Sequence, residues 1–313
     1  IAEQVQDFAV NTGHILFVKT DGSLWGIGDG YELGLGESVP VDIATKIVDS
    51  GVSRVSTESW HTLFVKTDGS LWGMGQSRYG KLGNGQGGYN NHDEKTPRQI
   101  VSSGVVEASA GSSHSMFVKS DGSLWGMGAN WQGRLGDGTE SERSSAVQVV
   151  SSGVSKVVGG VSHTLFIKTD GSLWGMGNNS QGQLGDGTTE NRSSPIMIVD
   201  SGLVSASIRR KSFFVKEDGT IWGMGQSLFT GAAQKQTTPL QIPQLLSYDD
   251  KVGVTPAGYG DVVGYKNSGS NATLVPYPTA VNNSLQSPYA FDHWSGYFGT
   301  SNDANVTVPF DSN

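Results

Sequence analysis

A unit of roughly fifty residues recurs five times along most of the chain, and this repetition limits the fold more than any other feature. Each copy contains a Trp-Gly-x-Gly motif, and successive motif tryptophans are separated by 47, 53, 49 and 48 residues. Repeats with such periods are typical of propeller blades and solenoid turns. The five tryptophans are Trp25, Trp72, Trp125, Trp174 and Trp222.

The best-preserved copy, His163 to Gly187, predicts two strands joined by a tight turn. Leu165 and Ile167 alternate with residues of the opposite face, as in a half-buried strand. Asp170-Gly171 lies between this run and the next, and an Asp-Gly pair in that place predicts a β-hairpin with a type I′ turn. With SKVVGG before the hairpin and PIMIV after it, each unit supplies four strands, which is the content of one propeller blade.

The composition fits a turn-rich all-β protein and excludes several classes of function. The 313 residues include 45 glycines with no three-residue period, which excludes collagen. The absence of cysteine excludes disulfides and thiolate chemistry. A net charge of −8 argues against nucleic acid as a partner, and no apolar run is long enough to span a membrane. A cysteine-free chain that begins at Ile1 leads us to expect a secreted or cell-surface bacterial protein.

Residues 163–187 (HTLFIKTDGSLWGMGNNSQGQLGDG) resemble the repeat of the regulator-of-chromosome-condensation family in its bacterial form. Residues 114–138 and 61–85 keep the same run with few changes, whereas the first unit departs at GDGYELGLGE. The fifth unit departs further, with Arg209-Arg210-Lys211 in the histidine region and LFTGAAQ in the glycine-rich loop. The resemblance covers residues 1–246 and implies a β-propeller.

The predicted fold is all-β, with a propeller of about five four-stranded blades over residues 1–246 and a small β domain over residues 247–313. The predicted blade boundaries are 1–52, 53–105, 106–154, 155–203 and 204–246. Propellers of the family that the chain resembles usually close with seven blades. Three arrangements therefore stay open: a closed five-bladed ring, a fragment of a longer protein, or an open arc that another copy completes. The divergent fifth unit is typical of a terminal capping repeat.

The tail, residues 251–313, resembles the small β-rich repeat of bacterial surface proteins that is related to the internalin B-repeat. The resemblance rests on Val254–Gly258, Phe291–Gly296 and Asn305–Val308. Members of that family continue with another strand beyond the position of Asp311, so we expect this domain to lack its final strand. A longer chain or a neighbouring molecule would then supply that strand, the latter by β-strand addition.

A histidine stands eleven residues before each of the first four motif tryptophans, at His14, His61, His114 and His163, and Lys211 takes the fifth place. Each opens a strand of its own unit, so we expect it to form hydrogen bonds within its own blade; a metal ring is the alternative. The Asp-Gly pairs are explained by their turns, with calcium as an alternative at Asp137 and Asp186. No GxSxG or HExxH motif is present. We expect no enzyme activity, no metal and no cofactor.

Aromatic residues that do not recur predict a binding face. The loops after the third strand of each unit lie on one rim of a propeller, and variable aromatic residues on a rigid scaffold are typical of contact sites. The alternative is that they cover the edges of neighbouring blades. The second unit also has an insertion, Gly85–Lys95, with Tyr89 and His92 at its tip. The candidate contact residues are Tyr31, Arg78, Tyr79, Tyr89, Trp131 and Phe229.

These features predict a non-catalytic extracellular or cell-surface protein that acts through protein–protein contacts. A propeller with few blades and a terminal domain short of a strand favour self-association, in which copies join head to tail into a polymer. The alternative is a secreted binding module that uses one loop face, as do propellers of this repeat family that inhibit β-lactamases. Tyr31, Tyr79 and Trp131 would then be its anchors. The nucleotide-exchange and chromatin-binding roles of eukaryotic members are disfavoured by the acidic charge.

Overall fold

The computed structural model describes residues 4–36, 39–89, 93–226 and 235–242, together with the backbone of residues 264–268 and 271–275. Within residues 4–242 the strands form five four-stranded antiparallel sheets, which confirms the predicted all-β blades. Blade 1 comprises β1 (Val5–Val10), β2 (His14–Lys19), β3 (Leu24–Gly28) and β4 (Val41–Val48). Blade 2 comprises β5 (Val52–Glu58), β6 (His61–Lys66), β7 (Leu71–Gly75) and β8 (Glu94–Val101).

Blades 3 to 5 repeat this order of strands. Blade 3 comprises β9 (Val105–Ala110), β10 (His114–Lys119), β11 (Leu124–Gly128) and β12 (Arg143–Val150). Blade 4 comprises β13 (Val154–Gly159), β14 (His163–Lys168), β15 (Leu173–Gly177) and β16 (Arg192–Val199). Blade 5 comprises β17 (Leu203–Ile208), β18 (Ser212–Lys216), β19 (Ile221–Gln226) and β20 (Lys235–Ile242).

The turn between the second and third strands of a blade is built around an aspartate side chain. In blade 1, Gly22 N donates to Lys19 O at 2.8 Å. Gly22 has a φ of 77°, whereas Asp21 does not have a positive φ, so the predicted type I′ turn is wrong. The Asp21 carboxylate accepts hydrogen bonds from the N–H and the hydroxyl of Ser23, which in turn accepts one from Trp25 Nε1. The same side-chain bonds recur in the other four blades, and they lower the pKa of each turn aspartate.

The hydrophobic core lies between consecutive blades. At the first junction, Leu16, Val18 and Leu24 of blade 1 pack against Val55 and Phe64 of blade 2. Equivalent clusters fill the next three junctions. Burial of one such side chain contributes ~1.5–3 kcal/mol, and each cluster combines residues of two consecutive blades, so neighbouring blades stabilise each other.

The motif tryptophans lie half-buried at these junctions. Trp72 stacks on Phe64 with 6.1 Å between the ring centroids, and Lys66 Nζ lies 4.7 Å from the centroid of the Trp72 ring. The same Phe–Trp–Lys arrangement recurs in blades 3, 4 and 5. Each tryptophan therefore joins the apolar core of a junction to a charged side chain at the surface.

The first strands of successive blades contact one another in order, so they lie nearest the axis of the arc. At one register position their residues alternate in charge: Asp7, Arg54, Glu107 and Lys156, followed by Ser205. Arg54 Nη1 lies 3.3 Å from Glu107 Oε2. Burial raises the pKa of Asp7 to about 6 and also raises the pKa of Glu107.

Each repeat histidine connects two blades. At the junction of blades 3 and 4, His114 Nε2 lies 2.9 Å from Thr164 Oγ1, and this hydroxyl donates to Arg134 O at 2.8 Å. The equivalent pairs are His14–Thr62, His61–Ser115 and His163–Ser212. The prediction of hydrogen bonds within one blade misses these contacts, because the hydroxyl partner belongs to the next copy of the repeat, although His14 Nδ1 also lies 2.5 Å from Glu32 Oε2 of its own blade. Burial lowers the pKa of His114 well below its usual value, which keeps the ring neutral.

Blade 1 leaves one face uncovered. Val5, Phe8 and Ile15 are 40%, 43% and 41% exposed, whereas the residues at the register positions of Phe8 and Ile15 in blade 2, Val55 and Thr62, are 8% and 0% exposed. Blade 5 therefore does not cover blade 1 in the way that blade 1 covers blade 2. Over the residues that the structure describes, the five blades therefore form an open arc.

The described backbone beyond the blades is a two-stranded antiparallel hairpin of β21 (Gly264–Ser268) and β22 (Asn271–Val275). The three segments on which the surface-repeat resemblance rests lie outside the described residues, so that domain and its final strand stay predictions. In the part of the chain that the structure describes, no helix has the length and apolar character needed to cross a membrane.

Candidate functional site

A cleft of about 480 Å³ opens between the loops of blades 2 and 3. It contains four of the six predicted contact residues, Arg78, Tyr79, Tyr89 and Trp131. Phe229 is the fifth and lies outside the described residues, as does His92 of the insertion, and Tyr31 is the sixth. The cleft is lined by Trp60, Gln76, Arg78, Tyr79, Tyr89, Ser112, Ser113 and Trp131. Aromatic rings and polar groups therefore share one opening.

Tyr79 reaches the cleft because its loop crosses to the neighbouring blade. The 3-10 turn Arg78–Gly80 follows β7 and packs against β12. A Cβ at Gly80 would collide with the Cα of Ser144, so the two backbones are in direct contact. Tyr79 adopts a φ of 61°, a left-handed conformation that costs a non-glycine residue ~1–2 kcal/mol. Gln132, the equivalent residue of blade 3, has the same conformation with a φ of 58°, so this turn geometry belongs to the repeat.

The insertion of blade 2 folds back over the same turn. Tyr79 N donates to Gly88 O at 2.8 Å, and Gly88 N donates to Glu142 Oε1 at 2.8 Å. These two bonds fix the insertion between its own blade and blade 3. Tyr89 follows directly and is therefore held at the mouth of the cleft.

Tyr79 is the centre of the aromatic cluster. Its ring makes edge-to-face contacts with Tyr89, at 5.5 Å between centroids, and with Trp131, at 4.6 Å. Arg78 Cζ lies 4.6 Å from the centroid of the Tyr89 ring. Such aromatic and cation–π contacts contribute ~0.5–1.5 kcal/mol each. Desolvation and the neighbouring Tyr89 raise the pKa of Tyr79, so its phenol stays protonated and can donate a hydrogen bond.

Two buried cations adjoin the cleft. Lys81 is 1% exposed and its Nζ donates to Gln76 Oε1 at 3.1 Å. Arg134 is 4% exposed, donates to the carbonyl oxygens of Trp131 and Val161, and lies 5.2 Å from the centroid of the Trp131 ring. Burial lowers the pKa of Lys81 to about 7 and that of Arg134 to about 10. Arg134 is therefore charged at neutral pH, whereas Lys81 is partly charged.

Trp60 belongs to the cleft and was not predicted. It precedes His61 in the turn between β5 and β6 and is 56% exposed. The equivalent residues of the other blades with a repeat histidine are Gly13, Ser113 and Ser162. An aromatic residue where the other copies have glycine or serine was the available signal, but it lies outside the loops after the third strands.

Tyr31 lies outside the residues that line this cleft, and it belongs to the loop of blade 1, which is shorter than that of blade 2. Glu32 O accepts a hydrogen bond from Thr62 Oγ1 at 3.4 Å, and Lys81 O accepts the equivalent bond from Ser115 Oγ at 2.6 Å. Glu32 therefore corresponds to Lys81. Counting residues from the motif tryptophan aligns Glu32 with Tyr79 instead, so that alignment of Tyr31 with the cleft residues is wrong.

The aspartates of the looser loops are engaged by protein donors. Asp137 Oδ1 accepts hydrogen bonds from Asn130 and from both donors of Thr139, and Asp137 Oδ2 lies 2.6 Å from Arg143 Nε. Asp186 has the same set of partners in blade 4. Among the residues that the structure describes, there is no group of three or more histidine, aspartate or glutamate side chains placed to hold a metal ion.

Comparison with protein-family models identifies the repeat. Residues 68–118, 121–167 and 170–208 match the model of the regulator of chromosome condensation (RCC1) repeat. A second model of the same repeat matches residues 105–133 and 154–183. The chain therefore contains RCC1 repeats from blade 2 into blade 5.

Solved structures share the fold. Human WBSCR16 is 20% identical, with a TM-score of 0.68 over 78% of this chain and 68% of that chain. Prp20p from Saccharomyces cerevisiae is 16% identical, with a TM-score of 0.63 over 76% of this chain and 65% of that chain; its structure was described with its binding to Gsp1p and histones. Yeast RCC1 (Prp20) bound to Kap60 has a TM-score of 0.62 at 16% identity, over 76% and 63%. The chain thus spans less than two thirds of the yeast protein, and at these identities the likeness concerns the fold.

Proposed function

We propose that this protein is a non-catalytic scaffold that binds a partner protein, and that the cleft between blades 2 and 3 is its contact site. RCC1-like propellers are protein-interaction scaffolds, and the yeast example is bound to Kap60 in one structure. The observation that carries the proposal is the cluster of exposed aromatic side chains at the cleft. Trp60, Tyr89 and Trp131 are 56%, 68% and 42% exposed.

The composition of the cleft fits a protein interface. Tryptophan, tyrosine and arginine are the residue types that carry most of the binding energy at such interfaces. Tyr79 and Arg78 already hold Tyr89 and Trp131 in place through ring contacts. Side chains that are ordered before binding lose less conformational entropy on association.

The charges at the cleft indicate the character of the partner. Arg78 lines the opening, and the buried side chains of Lys81 and Arg134 add positive charge next to its lining residues, in a chain whose net charge is −8. A local group of cations favours a partner surface with carboxylates beside an apolar or aromatic anchor. Association should therefore slow as the salt concentration rises.

The test is capture of partners from culture supernatant by the immobilised full chain and by two variants. Trp131→Ala removes an anchor of the cleft and should weaken capture by roughly thirtyfold, corresponding to ~2 kcal/mol. Ile43→Ala is the matched control, because Ile43 is 80% exposed on the outer strand of blade 1. Equal capture by the wild type, the control and Trp131→Ala would contradict the assignment of the cleft.

A secreted module that uses one loop face is the form of this function that the cleft favours. The related propellers of this kind inhibit β-lactamases, so this enzyme class is the first defined target. The purified protein should slow hydrolysis of a chromogenic β-lactam, and Trp131→Ala should restore the rate. Full hydrolysis in the presence of saturating protein would exclude β-lactamases as the target, and it would not contradict the binding of another protein.

An extracellular or cell-surface location in a bacterium is also part of the proposal. It is supported by the absence of cysteine and by the resemblance of residues 251–313 to a surface-protein repeat. Immunodetection in the supernatant and on intact cells, before and after protease treatment, tests it. Protein confined to the cytoplasmic fraction would contradict this location.

Head-to-tail self-assembly is a second candidate function, and the uncovered apolar face of blade 1 favours it. Phe8 and Ile15 are more than two fifths exposed there, and monomeric proteins seldom expose contiguous apolar surface without a function. Sedimentation velocity of the full chain over a wide concentration range should show species larger than the monomer. A monomer at the highest concentration would refute self-assembly.

A further inference from the structure

We propose that the uncovered face of blade 1 binds the fifth blade of a second copy of this chain, in the geometry that joins successive blades within one copy. This inference rests on the self-assembly proposed above. In this assembly two surfaces meet. One is the face of blade 1 with Phe8 and Ile15, and the other is the face of blade 5 that points away from blade 4.

A main-chain hydrogen bond closes each internal junction. Val52 N donates to Gly22 O at 2.9 Å, from the first strand of blade 2 to the hairpin turn of blade 1. The equivalent bonds are Val105–Gly69, Val154–Gly122 and Leu203–Gly171. The corresponding groups at the two ends of the arc are Val5 N and Gly219 O. A second copy placed by the same geometry would join them.

The space next to each turn glycine shows whether another blade packs against that turn. A Cβ at Gly22 would stand 2.7 Å from Gly51 N of the next blade. The same approach occurs at Gly69, Gly122 and Gly171, at 2.8, 2.6 and 2.9 Å. Gly219 has the same conformation, with a φ of 79°, but no atom of the described residues lies within 4 Å of its Cβ position. The docking place beside the fifth turn is therefore open.

The apolar residues of blade 5 that face away from blade 4 are incompletely covered. Phe213, Val215 and Ile221 are half-buried. Their equivalents in blade 4, which blade 5 covers, are the buried residues Leu165, Ile167 and Leu173. Since the repeat makes each such face complementary to the next blade, blade 1 of a second copy is the surface that fits it.

The histidine and the hydroxyl residue that bond across each internal junction are replaced at the two ends of the arc. Blade 1 has Ile15 where blades 2 to 5 have a hydroxyl residue, and blade 5 has Lys211 where blades 1 to 4 have histidine. A buried histidine against Ile15 would lack a hydrogen-bond partner, at a cost of ~1–3 kcal/mol. A lysine can lay its aliphatic stem along Ile15 and keep its ammonium group at the rim. The two replacements are therefore compatible with each other.

Two variants of the full chain block one surface each. Ile15→Arg puts a cation opposite Lys211, and the site is 41% exposed, so the fold tolerates it. Gly219→Asn fills the open docking place with a residue that tolerates positive φ. Ile43→Arg, on an exposed strand away from both surfaces, is the control. Each blocking variant should raise the dissociation constant of self-assembly about tenfold or more, and the control should not.

A mixture of the two blocking variants separates head-to-tail contact from other modes. Each variant keeps one intact surface, so the mixture should form a dimer and nothing longer. Cysteine pairs give a second measurement because the chain contains no cysteine. Gln4 corresponds to Gly51, since each carbonyl accepts a hydrogen bond from a second-strand turn, Thr20 N or Thr67 N. Gln4→Cys mixed with Gly219→Cys should therefore cross-link faster than Ile43→Cys mixed with Gly219→Cys.

The results distinguish the interface between blades 1 and 5 from self-assembly by another surface. Loss of long assemblies in both variants, with dimers in their mixture and selective cross-linking, supports the interface. Wild-type assembly that neither variant weakens overturns the interface and leaves self-assembly standing. A wild-type chain that stays monomeric overturns both. A mixture that gives no dimer while the wild type assembles overturns the pairing of blade 1 with blade 5.

Discussion

Replacing Thr164 by valine tests whether the hydroxyls between blades stabilise the arc. Thr164 Oγ1 is buried, lies 2.9 Å from His114 Nε2 and donates to Arg134 O at 2.8 Å. Valine keeps the shape of the side chain and removes both hydrogen bonds. The histidine ring and the carbonyl are then left without that partner inside the junction.

The expected loss follows from the two groups left unsatisfied. Each costs ~1–3 kcal/mol when buried, so Thr164→Val should lower the free energy of unfolding by about 3 kcal/mol. For a domain of this size the melting temperature should fall by roughly 6–12 °C. Ile15→Thr introduces a hydroxyl at the same register position of blade 1, where the side chain is 41% exposed. It should change the stability by less than about 0.5 kcal/mol.

Urea unfolding followed by tryptophan fluorescence and by circular dichroism measures both variants. The two probes must give coincident transitions for the free energies to be compared. A loss below about 1 kcal/mol for Thr164→Val, or an equal loss for Ile15→Thr, would refute the reasoning. A double-mutant cycle with His114→Ala should give a coupling energy of about 1 kcal/mol, because the two residues share one bond.

Four further variants test the charges and turns of the arc. Burial lowers the pKa of His163 to about 3. The free energy of unfolding should therefore fall as the pH drops from about 6.5 to 3, because only the unfolded chain takes up the proton in that range. In unfolding curves measured over a series of pH values, His163→Gln should show a smaller fall over that range. The pKa of Asp7 is raised to about 6, so its ionisation lowers the stability of the folded protein as the pH rises from about 4 to 6. Asp7→Asn should therefore be more stable than the wild type at pH 7 by about 1–2 kcal/mol. If the variant is not more stable, the argument from burial is contradicted. Gly171→Ala and Gly219→Ala share a positive φ, but only the first brings a Cβ to 2.9 Å from Gly202 N. In thermal unfolding, Gly171→Ala should therefore lose more stability than Gly219→Ala, by at least about 1 kcal/mol. Equal losses of stability would show that the contact is unimportant.

The blade itself could be predicted because its signals are local. The distance from the histidine to the Asp-Gly pair and then to the tryptophan sets two strands and their turn in one stretch of chain. The turn type was predicted wrongly because the Asp21 carboxylate binds Ser23 and closes a different turn. A pattern at fixed spacing identifies the element, but the side-chain bonds choose its backbone conformation.

The candidate site could be predicted in part. Arg78, Tyr79 and Trp131 were found because they break the repeat on one rim, and the structure brings them together with Tyr89. Trp60 was missed because it lies in a different turn, and Tyr31 was misaligned because its loop is shorter. Loop lengths vary between repeats without changing the core, so residue counting fails there.

By itself the sequence determined the repeat, the four strands of each blade and the residues at which the copies differ. The tertiary structure decided which blades touch, which hydroxyl receives each histidine, and which aromatic residues share one cleft. The physical reason is that strands and turns are set by neighbouring residues, whereas junction contacts join residues about fifty positions apart. Such contacts depend on how two preformed blades pack. The open face of blade 1, where Ile15 stands exposed, is visible only once that packing is known.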